Sequence, residues 1–441
     1  MSNQQPSRRD FIKSTSAVAA GLAVTGGLGI ARSAHAAGDS KIKVALIGCG
    51  GRGNGAIRNC MDADPAIQVV AVADAFEGPA QGTARNLRRD NKDRVNIPDD
   101  HVFVGLDAYK KAIDCGVDMI VTATPPGFRP MIYAAAINAG KHVFMEKPCC
   151  VDAPGFHLLN ATNKIAEEKG LKVGVGFQRR HTPEFISTVA KIHDGALGKL
   201  ILLQAYWNGH GIWNRHRQPG MTEMQYQINN WYHFCWLSGD QICEQHIHNL
   251  DVCNWVMDDH PVEANGMGGC ITRYLGSEKG TGQIFDHHFV EYTYKDGTKL
   301  YSQCRHIPNT WGQEGQHVYG TEGDSGVPGN INKIGTAKSK KKVREPKAHF
   351  GDSMVQEHHD LISAIKNNEK YVEGWHGATS SFTAVLGRMA TYSGQVVKWD
   401  DAIAKGSSEF PKELAWDAPA PFKADADGNY PIPIPGIYKA Y

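Results

Sequence analysis

The sequence has no excess of charge of either sign. Its 441 residues carry 47 Lys and Arg against 46 Asp and Glu, a formal net charge of +1, so nothing electrostatic recruits nucleic acid or an anionic membrane surface. It also lacks a long apolar run. The segment 17–30, rich in Gly and Ala, is 14 residues long, too short for a hydrocarbon core that needs roughly 20 apolar residues. Regular cysteine spacing is missing too: the ten cysteines are scattered through apolar runs, and Cys149 and Cys150 are neighbours, which reads as buried thiols and not as a disulfide framework. These absences leave a small molecule as the expected partner, and the length suits two domains.

What is present begins at the N-terminus. "SRRDFIK" (Ser7–Lys13) runs into the mildly apolar segment and then into "AHA" (Ala34–Ala36). Twin arginines, a light apolar stretch and a small-x-small cleavage site predict a twin-arginine export signal over 1–36. The mature protein is then expected in the periplasm or secreted, having met the twin-arginine export machinery, a route associated with proteins that fold around a cofactor before crossing.

From Lys41 the pattern alternates. "KIKVALIG" and "IQVVAVAD" read as buried strands flanking a helix from about Arg52 to Met61, and "DMIVTAT", a helix near 131–139 and "KHVFMEKP" repeat the unit. This predicts an α/β fold whose first domain, 41–160, is a doubly wound parallel sheet covered on both faces. Within it, "LIGCGGRGNG" follows a strand and opens a helix, with Gly48, Gly50 and Gly53 in G-x-G-x-x-G spacing and Asp74 ending the next strand. Glycines there admit a tight turn and a pyrophosphate against a helix N-terminus, and the carboxylate suits the ribose hydroxyls. Asp74 would repel a 2′-phosphate, and "ADAFEG" brings no arginine beside it, so NAD is preferred to NADP.

A second domain over 161–405 has a different texture. "LILLQAYWNG", "HHFVEYTYKDGTKLYSQCRH" with a turn at Asp296-Gly297, and "HVYGTEG" predict strands of a large, mainly antiparallel sheet. The Gly- and Lys-rich stretch 324–347 reads as an exposed loop, "VQEHHDLISAI" as a helix, and 406–441 as a Pro-rich tail along the surface.

Chemistry concentrates at "FMEKPCC", where Lys147 lies just past a strand of the parallel sheet, the edge where such sheets bind ligands. The ordered set "GCGGRG", "ATPP" (Ala123–Pro126), "EKP" (Glu146–Pro148), "GFQRRHTP", "HNLDVCNWV", "GTEG" and "SGQVVKWDD" resembles the glucose-fructose oxidoreductase, inositol dehydrogenase and rhizopine-catabolism family from about Lys41 to Asp401. That resemblance implies a nucleotide site formed with Arg52, Thr124, Pro125, Glu146 and Lys147 beside the glycines and Asp74. It further implies a sugar or cyclitol hydroxyl oxidised over the nicotinamide, with the EKP lysine polarising the hydroxyl and a helix histidine acting as base. The family's Asp-x-Gly-x-His appears here as "EQHIH", placing Glu244 and His248 in the acid and base positions one helical turn apart, with Glu for Asp and His246 for Gly.

The residue chemistry suits these roles without the family. Hydride leaves an alcohol as its proton is removed; a histidine can take that proton, and an ammonium stabilises the developing alkoxide. Metal is not expected: on a helix His246 points about 160° from Glu244, and His287, His288 and His306 would have to complete the set. His246 would instead line the pocket or satisfy a buried hydrogen bond. "AYWNGHGIWNRHR" and "NNWYHFCW" are dense in aromatics, His and Asn, a composition suited to a carbohydrate, with His210, Trp213 and Tyr232 as candidate substrate ligands beside Arg180. Asp251 either orients the His248 imidazole or pairs elsewhere.

The expected function is an exported NAD-dependent sugar oxidoreductase with a retained, recycled cofactor, acting as a homodimer or homotetramer. Two readings compete with it. One is a glycosidase that oxidises, eliminates and re-reduces with the same NAD; the other is a sugar-binding protein without turnover.

Overall fold

The computed structural model describes residues 41–272, 281–335 and 350–441, and Asp39–Tyr441 form one unit. The twin-arginine segment 1–36 and stretch 336–347 of the expected loop lie outside the described residues.

The apolar runs of the first domain build a wholly parallel six-stranded sheet in the order β3-β2-β1-β4-β5-β6. Its strands are β1 (Ile42–Ile47), β2 (Ile67–Asp74), β3 (Val102–Val104), β4 (Met119–Thr122), β5 (His142–Met145) and β6 (Val173–Val175). Helices α1 (Gly51–Ala63), α2 (Glu77–Asp90), α3 (Ala108–Asp114), α4 (Arg129–Asn138) and α5 (Ala153–Glu168) lie between them. Alternate residues of β1 feed two cores: Val44 and Leu46 pack with Ile57 and Cys60 of α1, while Ala45 and Ile47 join the cluster of Ile132 and Tyr133 of α4. Coverage of both faces is why these strands are apolar throughout.

The domain boundary expected at residue 160 moves. Val173–Val175 pairs with β5 as the sixth strand, and the helix Phe350–Asn367 returns from the far end of the chain to set Leu361, Ile362 and Ile365 into the core of β1. A boundary drawn from sequence order misses a helix that crosses back.

The second sheet has eight strands, β13-β12-β11-β7-β10-β9-β8-β14: β7 (Leu200–Gly209), β8 (Pro261–Gly269), β9 (His287–Tyr294), β10 (Lys299–His306), β11 (Gln313–Gly320), β12 (Gly323–Gly326), β13 (Asn332–Lys333) and β14 (Val397–Lys398). Only β7 and β10 pair in parallel. The β9–β10 hairpin turns at Gly297, whose φ is 88°. Burial alternates along β9, so one face packs against α10 (Ile247–Met257) and the helix Gly374–Ser393 while the other stays open.

The exposed loop expected from residue 324 is corrected over its first part. Residues 323–326 extend the sheet against β11, with Ser325 and Val327 buried. "GDSG" carries no apolar alternation, so its strand character comes from the pairing edge and not from its own pattern. Among the described residues no helix is long and apolar enough to cross a membrane.

Candidate active site

The glycine turn is built by close approach. Gly48 has φ 93°, and a Cβ there would lie 2.8 Å from the Thr124 amide nitrogen, so β1 and the strand beside it could not meet with a side chain between them. A Cβ at Gly53 would fall 1.9 Å from the Gly48 carbonyl oxygen. Gly50 has no atom within 4 Å of that position and caps α1 with no side chain, and the first turn of α1 carries no acidic residue. The helix N-terminus is thus open, electropositive and unshielded, as a pyrophosphate requires.

Asp74 stands at the end of β2. Its Oδ2 accepts the Cys49 amide at 2.7 Å and its Oδ1 the Phe76 amide at 2.9 Å. Burial raises its pKa while these amides and the charge of Arg215 pull the other way. A cavity of about 310 Å³ lies alongside, bounded by Gly48, Gly50, Asp74, Thr124 and Pro125 on one side and by Arg215, Asn229 and Trp231 on the other. The open glycine turn, the carboxylate and this volume fit a dinucleotide.

Beyond the pyrophosphate end, Arg52 in the first turn of α1 donates through Nε to Glu146 Oε1 at 2.6 Å. The two residues expected at the cofactor therefore hold each other, and they tie the glycine helix to the neighbour of Lys147. Lys147 itself is buried. Its Nζ donates to the Glu244 carbonyl oxygen at 2.5 Å and faces Glu244 Oε1 at 3.4 Å. Arg129, which sequence reasoning did not single out, braces this loop by donating to the Pro148 carbonyl at 2.6 Å.

The EQHIH segment departs from the expected single helix. Residues Gln241–Glu244 form α9, and α10 starts only at Ile247. The His248 amide donates to the Gln245 carbonyl and not to that of Glu244, which leaves the Glu244 carbonyl for Lys147. Glu244 bonds Lys147 on one side of this break, and His248 stands on the other, within reach of the Lys147 charge. Burial raises the Glu244 carboxyl's pKa, with the Lys147 charge opposing. Burial depresses the His248 imidazole well below its ordinary value, and the charges of Lys147, Arg179 and Arg52 add to that. The ring stacks on Trp207 at 5.8 Å between centroids; Glu244 Oε2 and His248 Nδ1 are buried without a hydrogen-bond partner.

Several expected substrate ligands are engaged elsewhere. Arg180 grips Asp251 with both arms at 2.9 Å and stacks over Trp255, and Ser380 donates to the same carboxylate. The Asp251 carboxylate is thus taken by Arg180 and Ser380, with no hydrogen bond to His248. The neighbouring Arg179 bonds Gln316 and Glu314 and lies 5.9 Å from the Trp207 ring that carries His248. Adjacent arginines gave no sequence signal to choose between them. His246 is buried with Nε2 on Ser302 Oγ at 2.7 Å and its pKa pulled to about 3 by burial, so it braces the sheet and not a ligand. The Tyr232 hydroxyl is taken by His306 at 2.9 Å, and His210 contributes only its carbonyl to that same imidazole. Trp213 packs edge-on against Trp231 and Tyr232, behind the Trp231 that borders the nucleotide cavity. Among the described residues no group of three His, Cys, Asp or Glu could hold a metal ion.

Arg215 is, after Arg129 and Arg179, a third residue that sequence reasoning passed over. No arginine accompanies Asp74 in sequence, yet this one arrives from the second domain to line the same cavity.

Comparison with known proteins agrees with this geometry. Residues 42–177 match the GFO/IDH/MocA family, described as an oxidoreductase family with an NAD-binding Rossmann fold. An inositol 2-dehydrogenase/D-chiro-inositol 3-dehydrogenase of Lactiplantibacillus plantarum is 24% identical over 353 residues, 78% of this chain and 89% of that protein. The crystal structure of a myo-inositol 2-dehydrogenase from Lactobacillus plantarum superposes with a TM-score of 0.62 at 19% identity, covering 81% of this chain and 99% of that one. A scyllo-inositol dehydrogenase from Lactobacillus casei, solved with NAD(H) and scyllo-inositol, gives 0.60 at 16% identity over 81% and 99%. Residues 42–177 thus match the NAD-binding Rossmann domain of the GFO/IDH/MocA oxidoreductase family, and NAD is the cofactor.

Proposed function

We propose that the protein is an exported NAD-dependent oxidoreductase that oxidises a hydroxyl of a sugar, glycoside or cyclitol. The observation that carries this reading is the buried Lys147 held by Glu244 past the end of the parallel sheet where the glycine turn opens, linked to that turn by Arg52 and Glu146, with the Lys147 charge acting on the His248 imidazole. A substrate hydroxyl set against Lys147 Nζ meets a buried cation that stabilises negative charge as it develops on oxygen. His248, kept neutral by its surroundings, accepts the hydroxyl proton. Its Nδ1 is enclosed, so Nε2 is the nitrogen left to reach the substrate. Glu244 fixes the ammonium through carbonyl and carboxylate. Bound NAD supplies the acceptor for the hydride.

The names of the inositol dehydrogenases support a polyhydroxylated ring as substrate, and Trp207 offers it an apolar face. The twin arginines support export, with NAD loaded beforehand, reduced by one substrate and reoxidised by a second carbonyl compound. Association as a homodimer or homotetramer would use the open sheet face.

The test is to supply NAD and a panel of cyclitols, hexoses and glycosides to the purified protein and follow reduced nicotinamide and products. Formation of a ketone with NADH supports the reading. A cleaved glycoside with no net redox change would move it to the oxidation-elimination glycosidase, and ligand binding with no chemistry to a sugar-binding protein. Export is tested separately by fractionating cells that express the chain with Arg8→Lys and Arg9→Lys, which should hold the protein in the cytoplasm.

A further inference from the structure

We infer that the nucleotide is clasped from its open side: Arg215 is a nucleotide-binding residue contributed by the second domain, and Trp416 of the C-terminal tail backs Phe76, which borders the adenosine half of the cavity. This deepens the retained-cofactor reading above and rests on NAD occupying the glycine cavity.

The position of Asp74 fixes where the adenosine ribose lies, so the space beside Phe76 receives the adenosine. Across it stands Arg215. Its segment, between β7 and α7 (Glu223–Asn229), has no regular structure, yet the residue is firmly placed. The backbone amide donates to Asn230 Oδ1 at 3.0 Å, Nη1 donates to the Asn229 carbonyl and side-chain oxygens at 3.1 and 3.2 Å, and the guanidinium lies 4.9 Å from the centre of the Trp213 ring. Its charge reaches Asp74 without a direct ion pair, because that carboxylate is already occupied by the Cys49 and Phe76 amides. A planar cation held across a cavity from an open helix N-terminus complements an anionic dinucleotide and can cover a purine face.

The tail supplies the second half of the clasp. Trp416 packs on Phe76 with ring centroids 5.2 Å apart, and its carbonyl accepts the Thr222 hydroxyl at the start of α7 at 2.6 Å. Six residues earlier, Phe410 sits 5.7 Å from Phe128 and 5.5 Å from Trp236. The Phe422 carbonyl accepts from Gln227 of α7. Phe76 and Phe128 belong to the Rossmann domain and border the cavity, so the tail laces the two sides together at its adenosine end. Loosening this lacing frees the cavity wall, and should speed nucleotide release.

The full-length protein is loaded with NADH, freed of excess by gel filtration, and its release followed by nicotinamide fluorescence against excess NAD, for the parent and for Arg215→Ala, Trp416→Ala and Asp74→Ala. Arg215→Ala and Trp416→Ala should each release NADH about tenfold faster, the loss of one desolvated cation–π or ring contact. Their circular dichroism and melting should stay those of the parent. Arg215 is exposed, so its variant is expected to fold even if Trp416→Ala does not. Unchanged release in the folded variants, with NADH still lost from Asp74→Ala, overturns the clasp and leaves the NAD reading standing. A parent that binds no NADH overturns both. NADP bound as tightly as NAD, and lost with Arg215, would assign the arginine to a 2′-phosphate and overturn the inference as well.

Discussion

The two sides of the cofactor cavity are made of different material. One side is backbone at the ends of buried strands: Gly48, Gly50 and Gly53 with the α1 amides, Asp74 at the end of β2, and Thr124 and Pro125 after β4. The other side is side chain carried on coil and a short helix: Arg215, Asn229 and Trp231, with the tail behind. The first is set by hydrogen-bonded strands whose register leaves one way for the turn to form. The second depends on segments far apart in sequence meeting through a handful of rings and amides. A wall of the first kind is fixed before ligand arrives; one of the second kind can open.

The residues proposed for catalysis join both kinds, and changing them should have the largest effects. His248→Asn should lower kcat about 10³-fold, within the range for losing a positioned base, with NAD still bound, as read by steady-state kinetics beside a nucleotide titration. Because burial and three neighbouring cations hold the imidazole neutral below its ordinary 6.5, protonation that would stop it requires more acid. The acid limb of kcat/KM in the parent should therefore fall below pH 6.5; a limb at or above that value would show that the imidazole is not held neutral as described.

Lys147→Met should cost about 10²-fold in kcat, the scale of removing one electrostatic donor to a developing oxyanion. If KM alone rises, the lysine binds substrate uniformly and does not favour the transition state.

Arg180→Ala sharpens the contrast between the paired arginines. It leaves the Asp251 carboxylate, 1% exposed, with Ser380 as its remaining side-chain donor, and should lower stability by about 3 kcal/mol, the low end for breaking a buried pair, in urea unfolding. Arg179→Ala should leave the unfolding midpoint closer to the parent's and change KM. The reverse pattern would exchange their roles.

The smallest effect tests the backbone wall. Asp74→Ala should weaken NAD about tenfold, as expected for losing charge-assisted hydrogen bonds to a ribose, measured by calorimetric titration. A larger loss would mean that the carboxylate also holds the glycine turn through Cys49 and Phe76.

The same contrast explains what the sequence made legible. Four strands of the parallel sheet, β1, β2, β4 and β5, were readable because each is a largely apolar run between helical stretches, whereas β3 and β6, three residues each, are too short to show a pattern. Lys147, Glu244 and His248 were singled out from motif spacing; the structure pairs Lys147 with Glu244, and the break between α9 and α10 does not follow from the pattern. Residues 324–326 looked like loop because "GDSG" borrows its strand geometry from β11. His246 and Tyr232 looked like ligands because composition cannot tell an imidazole or phenol facing a pocket from one facing Ser302 or His306. Arg215 could not be found at all by searching near Asp74, since 141 residues separate them and only tertiary packing brings the charge home.

Isotope transfer tests the central claim most directly. A polyol substrate found in the activity panel is prepared with deuterium on the carbon bearing the reacting hydroxyl, and the protein-bound nicotinamide is recovered and examined by mass spectrometry. The account predicts deuterium in the nicotinamide of the parent and none with Lys147→Met over the same interval. Substrate converted by the parent while its nicotinamide gains no deuterium would contradict it.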